Sequence, residues 1–225
     1  MNSPLTKEAQ YQVIVEAANE RGLETLGLRG SESWYHDPKH LVFRLARYKF
    51  IAKMLSGRKN VLEIGCGDAF GARIVQAEVG TYTGSDFDAV FIEEAKRMMV
   101  PRWAFNTIVH DMLDGPVPGH YDGVYALDVI EHIDQSKEDL FVQNCIGSLD
   151  VNGAAIFGTP SLESQPFAST QSKLGHVNCK SGPELRALME KYFHNVFLFS
   201  MNDEVVHTGF HKMANYLFVI GAGKR

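Results

Sequence analysis

The chain contains 225 residues with a formal net charge of −5, and 45% of its residues are hydrophobic and 22% are charged. This length allows one α/β domain with a full core, and the composition is ordinary for a soluble globular protein. No run of lysine and arginine is present, which argues against a nucleic-acid partner because tight nonspecific binding to DNA or RNA depends on basic surface.

The sequence carries no sign of a membrane segment, a secretion signal or a disulfide framework. No apolar run approaches the roughly twenty residues that span a bilayer, and residues 1–7 lack the charged-then-apolar layout of a signal peptide. Cys66, Cys145 and Cys179 have neither a paired spacing nor a metal-finger pattern. We therefore expect a cytoplasmic protein with reduced thiols and no membrane insertion.

Two helices are predicted before the first strand. Residues 5–24 and 40–55 both carry apolar side chains at helical spacing. Glycines and serines at 27–33 are expected to break the chain between them, which leaves the aromatic cluster at 34–36 in a loop. A loop that exposes such residues typically covers a binding site. The first helix could equally cover the site or simply pack against the sheet edge.

The segment 61–71 is the most informative part of the chain. It predicts a short apolar strand with Glu63 near its carboxyl end, a glycine turn at 65–67 and the start of a helix. Ligands of open α/β sheets bind at the carboxyl ends of the strands, so this pattern indicates a nucleotide-type site. Phe70 occupies the third glycine position of the dinucleotide fingerprint, and Asp68 would repel a diphosphate. The pattern therefore favours a ligand with an amino group and a positive charge.

Three further strands are predicted to end in acidic residues at the same edge. The strand 80–86 ends about twenty residues past the glycine turn, where a carboxylate can accept both hydroxyls of a ribose. The strands 103–109 and 121–127 follow in order along the chain. The acidic residues at or just after these strand ends are Asp86, Asp111 and Asp128.

The order of these strand ends resembles class I S-adenosylmethionine-dependent methyltransferases. Residues 63–69 match the E-x-G-x-G-x-G motif of that family, with the small Ala69 in the last glycine position. Residues 128–132 resemble the family's signature after strand four, and 173–185 resembles the G-x-H region of ubiquinone-biosynthesis-type small-molecule O-methyltransferases. The resemblance implies a Rossmann-like, seven-stranded, mostly parallel α/β sheet flanked by helices, with an antiparallel terminal hairpin and an N-terminal helical extension.

The remaining elements fit one domain, in which residues 1–57 form the helical extension or lid and residues 58–225 form the core. Ser136 and Ser181 are each predicted to start a helix with a capping box. The apolar stretches 195–200 and 213–220 near the C-terminal end fit the terminal hairpin. The remaining predicted elements are helices at 70–77, 88–99, 136–149 and 181–192 and strands at 153–158, 195–200 and 213–220.

The resemblance implies S-adenosyl-L-methionine as the cofactor and S-adenosyl-L-homocysteine as its product. An acidic residue after strand three typically bonds the adenine amino group in this family, and the following backbone helps to hold the ring. Arg44 or Arg47 can reach the cofactor's carboxylate through a bidentate contact, with a surface arginine as the equal alternative. Cys66 is expected to fill space in the turn. The cofactor-binding residues implied are Glu63, Gly65, Cys66, Gly67, Asp86, Phe87, Asp111, Met112, Leu127, Asp128 and Arg44.

Two histidines are candidates for the catalytic base. A hydroxyl acceptor must lose its proton near the transition state, and a histidine typically contributes about 10²–10⁴-fold there. His176 and His132 both fall near the expected methyl position, although each could merely brace its loop or line the pocket. His207 and His211 have helical metal-ligand spacing, but Gly209 between them indicates a loop, so no metal is expected there.

The sequence therefore predicts transfer of a methyl group to a small-molecule acceptor, on a hydroxyl of a sugar, phenol or other metabolite. An N-methyltransferase that acts by proximity and a non-catalytic S-adenosylmethionine-binding protein are the alternatives. The chain lacks the Pro-Pro-aromatic motif that DNA amino-methyltransferases of this fold usually carry. The oligomeric state is not fixed by the sequence, and a homodimer stays open.

Overall fold

The computed structural model describes residues 5–225. Residues 1–4 lie outside the described residues. They are the start of the predicted extension and of the segment 1–7, in which no signal peptide is expected. The helices are α1 Gln12–Arg21, α2 Gly27–His36, α3 Pro38–Met54, α4 Ala72–Gln76, α5 Ala89–Arg97, α6 Glu138–Gly147, α7 Thr170–Gly175 and α8 Gly182–Glu190. The strands are β1 Asn60–Ile64, β2 Thr81–Asp86, β3 Asn106–Val109, β4 Tyr121–Leu127, β5 Leu149–Pro160, β6 Phe193–Asn202, β7 Val205–His207 and β8 Tyr216–Lys224.

The strands form one sheet in the order β3-β2-β1-β4-β5-β8-β6-β7. Strands β1 to β5 pair in parallel, whereas β8 runs antiparallel between β5 and β6. This arrangement confirms the expected α/β fold with its antiparallel end, and the short β7 adds an eighth strand beyond β6. The strand order reverses between β1 and β4, which places the binding crevice at their carboxyl ends.

The core lies on both faces of the sheet because consecutive residues of a buried strand point to opposite sides. On β1, Leu62 packs with Phe141 and Phe157 on one face. Val61 packs with Ile156 on the other face. Both faces of the central strands are thus covered by helices, as parallel sheets require. Within the described range, no helix is both long and apolar enough to cross a membrane.

The prediction of a loop at 34–36 is wrong, since these residues lie in α2. The two glycines that suggested a break lie inside this helix, at sites where it packs tightly. A Cβ atom on Gly27 would lie 2.8 Å from Asp68 Oδ2, and one on Gly30 would lie 3.1 Å from the Phe70 ring. Glycine therefore serves the close approach of α2 to the glycine turn.

One predicted capping box is absent and the other is present. Asp134 accepts a hydrogen bond from the Ser136 backbone N–H at 2.8 Å and starts a short 3₁₀ turn, so Ser136 does not cap α6. At α8, Ser181 and Glu184 form the full reciprocal box. The predicted third strand is also shorter than expected, because a 3₁₀ turn occupies Pro101–Trp103.

Candidate functional site

The glycine turn after β1 is held by the end of β2. The backbone N–H groups of Gly65 and Cys66 both donate to the Ser85 carbonyl, at 2.8 and 3.0 Å. Gly65 and Gly67 have φ angles of +72° and +56°, which favour glycine. A Cβ atom on Gly65 would clash with the Val129 side chain. The turn therefore depends on glycine both for its dihedral angles and for its space.

The Asp86 carboxylate fixes the same turn from the side. Its Oδ2 accepts from the Gly67 N–H at 2.8 Å, and its Oδ1 accepts from the Asp88 N–H at 2.9 Å. Each carboxylate oxygen keeps a second acceptor site, so a ribose could still be bound. The following residue, Phe87, is 73% exposed at the rim.

Glu63 lies fully buried beneath the turn, among three tyrosines. Its oxygens accept hydrogen bonds from Tyr48 at 2.9 Å, from Tyr125 at 2.8 Å and from Tyr82. Burial raises the pKa of Glu63 to about 7, and the three phenol hydrogen bonds oppose that rise. The carboxylate thus supports the floor of the crevice from within the core.

The remaining predicted cofactor residues lie at the strand ends with different exposures. Asp111 follows β3 in an exposed turn, where its Oδ1 accepts from the Leu113 N–H at 2.8 Å. Met112 and Leu127 place their side chains in the core, so only their backbone could meet a ligand. The Met112 carbonyl already accepts from Asn144 Nδ2 at 2.6 Å, and Leu127 pairs with Gly158 of β5. Burial raises the pKa of the Cys66 thiol well above its ordinary value, which suits a packing residue better than a nucleophile.

Both predicted arginines already have partners. Arg44 donates to Ser33 Oγ at 2.8 Å and to the Arg29 carbonyl at 3.3 Å, so it ties α2 to α3. Arg47 donates to both oxygens of Asp128, at 2.9 and 2.8 Å, and its guanidinium lies 3.8 Å from the centre of the Tyr216 ring. Although burial raises it, the pKa of Asp128 is held below its ordinary value by Arg47.

Arg29 is a site residue that the sequence analysis missed. Its backbone N–H donates to Asp68 Oδ2 at 2.7 Å, which anchors α2 on the glycine turn. A Cβ atom on Gly67 would lie 2.9 Å from both Cδ and Nη1 of Arg29, so the guanidinium reaches over the turn. Across residues 5–225 this guanidinium makes no hydrogen bond or ion pair. It lies in the segment that was expected to be a chain break, and no sequence signal marked it.

The two candidate base histidines lie side by side at the end of β4. His132 Nδ1 is 2.8 Å from the Gly175 carbonyl, and His176 Nδ1 is 2.9 Å from Gln165 Oε1. The centres of the two rings are 5.3 Å apart. The structure thus brings together two histidines from separate segments. They lie near the end of β4, the strand that pairs with β1 before the glycine turn.

Glu131 adds a buried carboxylate to this histidine pair. Its backbone carbonyl accepts from the N–H groups of Val177 and Asn178, at 2.9 and 3.0 Å, which joins the end of β4 to the segment that carries His176. Its Oε2 accepts from Thr159 Oγ1 at 3.1 Å, whereas Oε1 has no partner among residues 5–225. Burial and then the Asp128 charge raise the pKa of Glu131 to about 8.

The pair His207 and His211 lies elsewhere. His207 is in β7, where Nε2 is 3.1 Å from Asn202 Oδ1 and Nδ1 accepts from the Gly209 N–H at 2.9 Å. His211 is in a separate 3₁₀ turn. Both nitrogens of His207 are therefore engaged, and this histidine has none left for a ligand.

Comparisons with known proteins support the likeness seen in the motifs. A family model described as a methyltransferase domain matches residues 61–153. A probable S-adenosylmethionine-dependent methyltransferase of Mycolicibacterium smegmatis is 28% identical over 168 residues, which are 73% of this chain and 60% of that protein. The chain therefore spans about three fifths of that relative's length.

Solved structures share the fold. A chain in the complex between the Haloferax volcanii Trm112 methyltransferase activator and a methyltransferase superposes with a TM-score of 0.68 at 13% identity, over 86% of this chain and 97% of that one. The N-methyltransferase NodS from Bradyrhizobium japonicum WM9, in complex with S-adenosyl-L-homocysteine, gives 0.62 at 14% identity, over 84% and 90%. At these identities the likeness shows the fold alone.

Proposed function

We propose that the chain is a class I S-adenosylmethionine-dependent methyltransferase and moves a methyl group from S-adenosylmethionine to a hydroxyl of a small molecule. A sugar, a phenol or another metabolite would serve as the acceptor. The observation that carries the proposal is the meeting of the glycine turn, the Asp86 carboxylate and the His132–His176 pair at one edge of the sheet.

The residues around the glycine turn fit this cofactor. Asp86 would bind the ribose hydroxyls, and the exposed Asp111 with the Met112 backbone would bind the adenine. The turn at 65–67 would take the methionine portion, because its glycines leave backbone accessible. When bound, the cofactor supplies an electrophilic methyl group on a positively charged sulfur.

Arg29 is our proposed partner for the carboxylate of the cofactor, in place of the predicted Arg44. Arg44 is occupied by Ser33 and by the Arg29 carbonyl, whereas the Arg29 guanidinium reaches over Gly67 without a partner among the described residues. A charge-assisted contact of this kind contributes about 1.5–3 kcal/mol. Glu63 would then act indirectly, because its oxygens hold the three tyrosines that support the turn.

Within the single domain, the described part of the extension, residues 5–57, would serve as a fixed cover. Helix α2 is fastened to the glycine turn through the Arg29 N–H and to α3 through Arg44. The core at 58–225 supplies the sheet. Alignment and exclusion of water by such a cover can contribute about 7–11 kcal/mol to the lowering of a barrier.

The histidine pair supports a hydroxyl acceptor over an amine. An amine needs only a neutral lone pair, whereas a hydroxyl must be activated. His132 and His176 lie together and would supply that activation. The N-methyltransferase NodS has the same fold, so transfer to nitrogen by proximity is the second candidate. It predicts that replacing both histidines leaves turnover intact.

Calorimetric titration with S-adenosylmethionine, S-adenosylhomocysteine and NADH tests the cofactor assignment. Binding of the two sulfur compounds without binding of NADH is expected, because Phe70 and Asp68 disfavour a dinucleotide. A screen of hydroxyl and amine acceptors, with product mass as the readout, then tests the substrate class. Binding of NADH alone would contradict the assignment, and methylation of amines only would replace the hydroxyl acceptor.

A further inference from the structure

We propose that Glu131, His132 and His176 form a binding site for one divalent transition-metal cation beside the acceptor. Each residue offers one ligand atom, and the three atoms lie within 4.8 Å of one another. Two imidazoles and one carboxylate are a donor set that suits zinc, manganese, iron and cobalt ions. The sequence alone predicts no metal here, because these ligands come from two separate segments and form no short-range spacing pattern.

The hydrogen bonds of the two rings are those that metal-binding histidines make. His132 Nδ1 faces the Gly175 carbonyl and His176 Nδ1 faces Gln165 Oε1, and both partners are acceptors. Each Nδ1 therefore carries the proton, which leaves the Nε2 lone pair free. Metal-ligating histidines typically donate their other N–H to an oxygen in this way, because the contact fixes the tautomer and the ring orientation.

Glu131 supplies an independent sign of a missing partner. Its side chain is fully buried, and within the described part of the chain its Oε1 has no hydrogen-bond partner, although Oε2 is bonded to Thr159. A buried polar atom without a partner destabilises the fold, because its desolvation is not compensated. Arg47, the nearby cation, is engaged with Asp128 and does not bond Glu131. A bound cation would take the free lone pair of Oε1 and favour the ionised carboxylate.

The backbone holds the two ligand-bearing segments together before any cation binds. Glu131 and His132 lie in the 3₁₀ turn Ile130–His132, which begins three residues after the end of β4. His176 follows α7, and the next two backbone N–H groups bond the Glu131 carbonyl. These contacts fix the spacing of the two segments, so the three ligand atoms lie near one another without a cation.

The role of the cation rests on the proposed function. Three protein ligands leave coordination positions open, so the acceptor hydroxyl could bind the cation and lose its proton to water, because a metal ion lowers the pKa of a bound hydroxyl. The oxygen then forms the bond to the methyl carbon while the carbon–sulfur bond breaks, and that electron pair stays on the now neutral sulfur. In this reaction the two histidines act as ligands, and no histidine base is needed.

Cobalt titration of the full chain after treatment with chelator tests the site without acceptor or cofactor. Visible absorption should show saturable binding of one Co²⁺ per chain. His132→Ala and His176→Ala should each weaken that binding by at least about tenfold, the scale of a lost contact in a metal site. His194→Ala, on the exposed side of β6, is the matched control and should bind as the unaltered chain does. Glu131→Gln keeps the volume of the buried side chain and should also weaken binding.

Absence of saturable Co²⁺ binding would overturn the proposal. So would unchanged binding in both His132→Ala and His176→Ala, or a loss of binding only when His207 is replaced. Circular dichroism of each variant shows whether the chain remains folded, and the exposed His132 gives the variant with the least effect on packing.

Titration of the same variants with S-adenosylhomocysteine separates this proposal from the proposed function. Binding of S-adenosylhomocysteine without Co²⁺ binding would end the metal proposal alone. Binding of Co²⁺ without S-adenosylhomocysteine binding would end the cofactor assignment and leave the metal site standing. If chelation leaves the rate of methylation of a hydroxyl acceptor unchanged, the cation has no catalytic role, even though it binds.

Discussion

Replacing Glu63 by glutamine should remove much of the pH dependence of this protein's stability between weakly acidic and weakly basic conditions. The carboxyl is fully buried, and burial raises its pKa from 4.5 to about 7 despite the hydrogen bonds from Tyr82, Tyr125 and Tyr48. Glutamine has nearly the same shape and can still accept phenol hydrogen bonds, but it cannot ionise.

The magnitude follows from the two pKa values. Because the folded state holds the proton more tightly, this carboxyl stabilises the fold fully below its unfolded pKa and the stabilisation is lost as the pH rises through the folded pKa. A rise from 4.5 to about 7 corresponds to about 3 kcal/mol in the free energy of unfolding. About 2.5 kcal/mol of this falls between about pH 5 and about pH 8.

Urea unfolding at several pH values across this window measures the effect. The quantity of interest is the difference in free energy of unfolding between the unaltered chain and Glu63→Gln, since other titrating groups, Glu131 among them, are common to both and cancel. Glu16→Gln, on the exposed surface of α1, is the matched control and should give a curve parallel to that of the unaltered chain.

Parallel curves for Glu63→Gln and the unaltered chain would refute this reasoning, because Glu63 would then titrate alike in the folded and unfolded states. A difference that grows as the pH rises, with the unaltered chain gaining stability, would show that the tyrosine hydrogen bonds outweigh burial. Either result would identify the carboxylate as charged at neutral pH.

Three further variants test the cofactor crevice by calorimetry with S-adenosylhomocysteine. Arg29→Ala should weaken binding by about 1.5–3 kcal/mol, the scale of a charge-assisted hydrogen bond, while Arg186→Ala on α8 should bind normally and serve as its control. Asp86→Ala should weaken binding by roughly 1–3 kcal/mol through lost hydrogen bonds, and an unchanged dissociation constant would contradict the ribose assignment. Gly65→Val should abolish binding in a chain that still folds, because its side chain would meet Val129, and near-normal binding would contradict the role of the turn.

The strand ends were predictable because their signals are local. An apolar run, a glycine turn and a following acidic residue lie within a few positions of one another, and the parallel pairing of β1, β2 and β4 then brings them to one edge. The second capping box was predictable for the same reason, since Ser181 and Glu184 lie within one turn. At Ser136 a competing local contact from Asp134 decided the outcome.

The features that the sequence did not reveal depend on distant contacts. Helix α2 keeps its glycines because Asp68 and Phe70 approach them, and these residues lie about forty positions further along the chain. The tyrosine cage of Glu63 draws one residue each from α3, β2 and β4. No pattern within a single segment predicts such a cage, or the contact between His132 and His176.

The double anchoring of the glycine turn by Ser85 and Asp86 has a kinetic consequence. Three backbone N–H groups of the turn are bonded to β2 without any ligand in place. A turn held in this way needs no ordering step, so ligand association should follow single-exponential kinetics whose rate rises linearly with ligand concentration. Amide hydrogens of Gly65 and Gly67 should also exchange slowly in the free protein. The floor of the crevice thus behaves as a fixed part, and differences in affinity among ligands should arise in their dissociation rates.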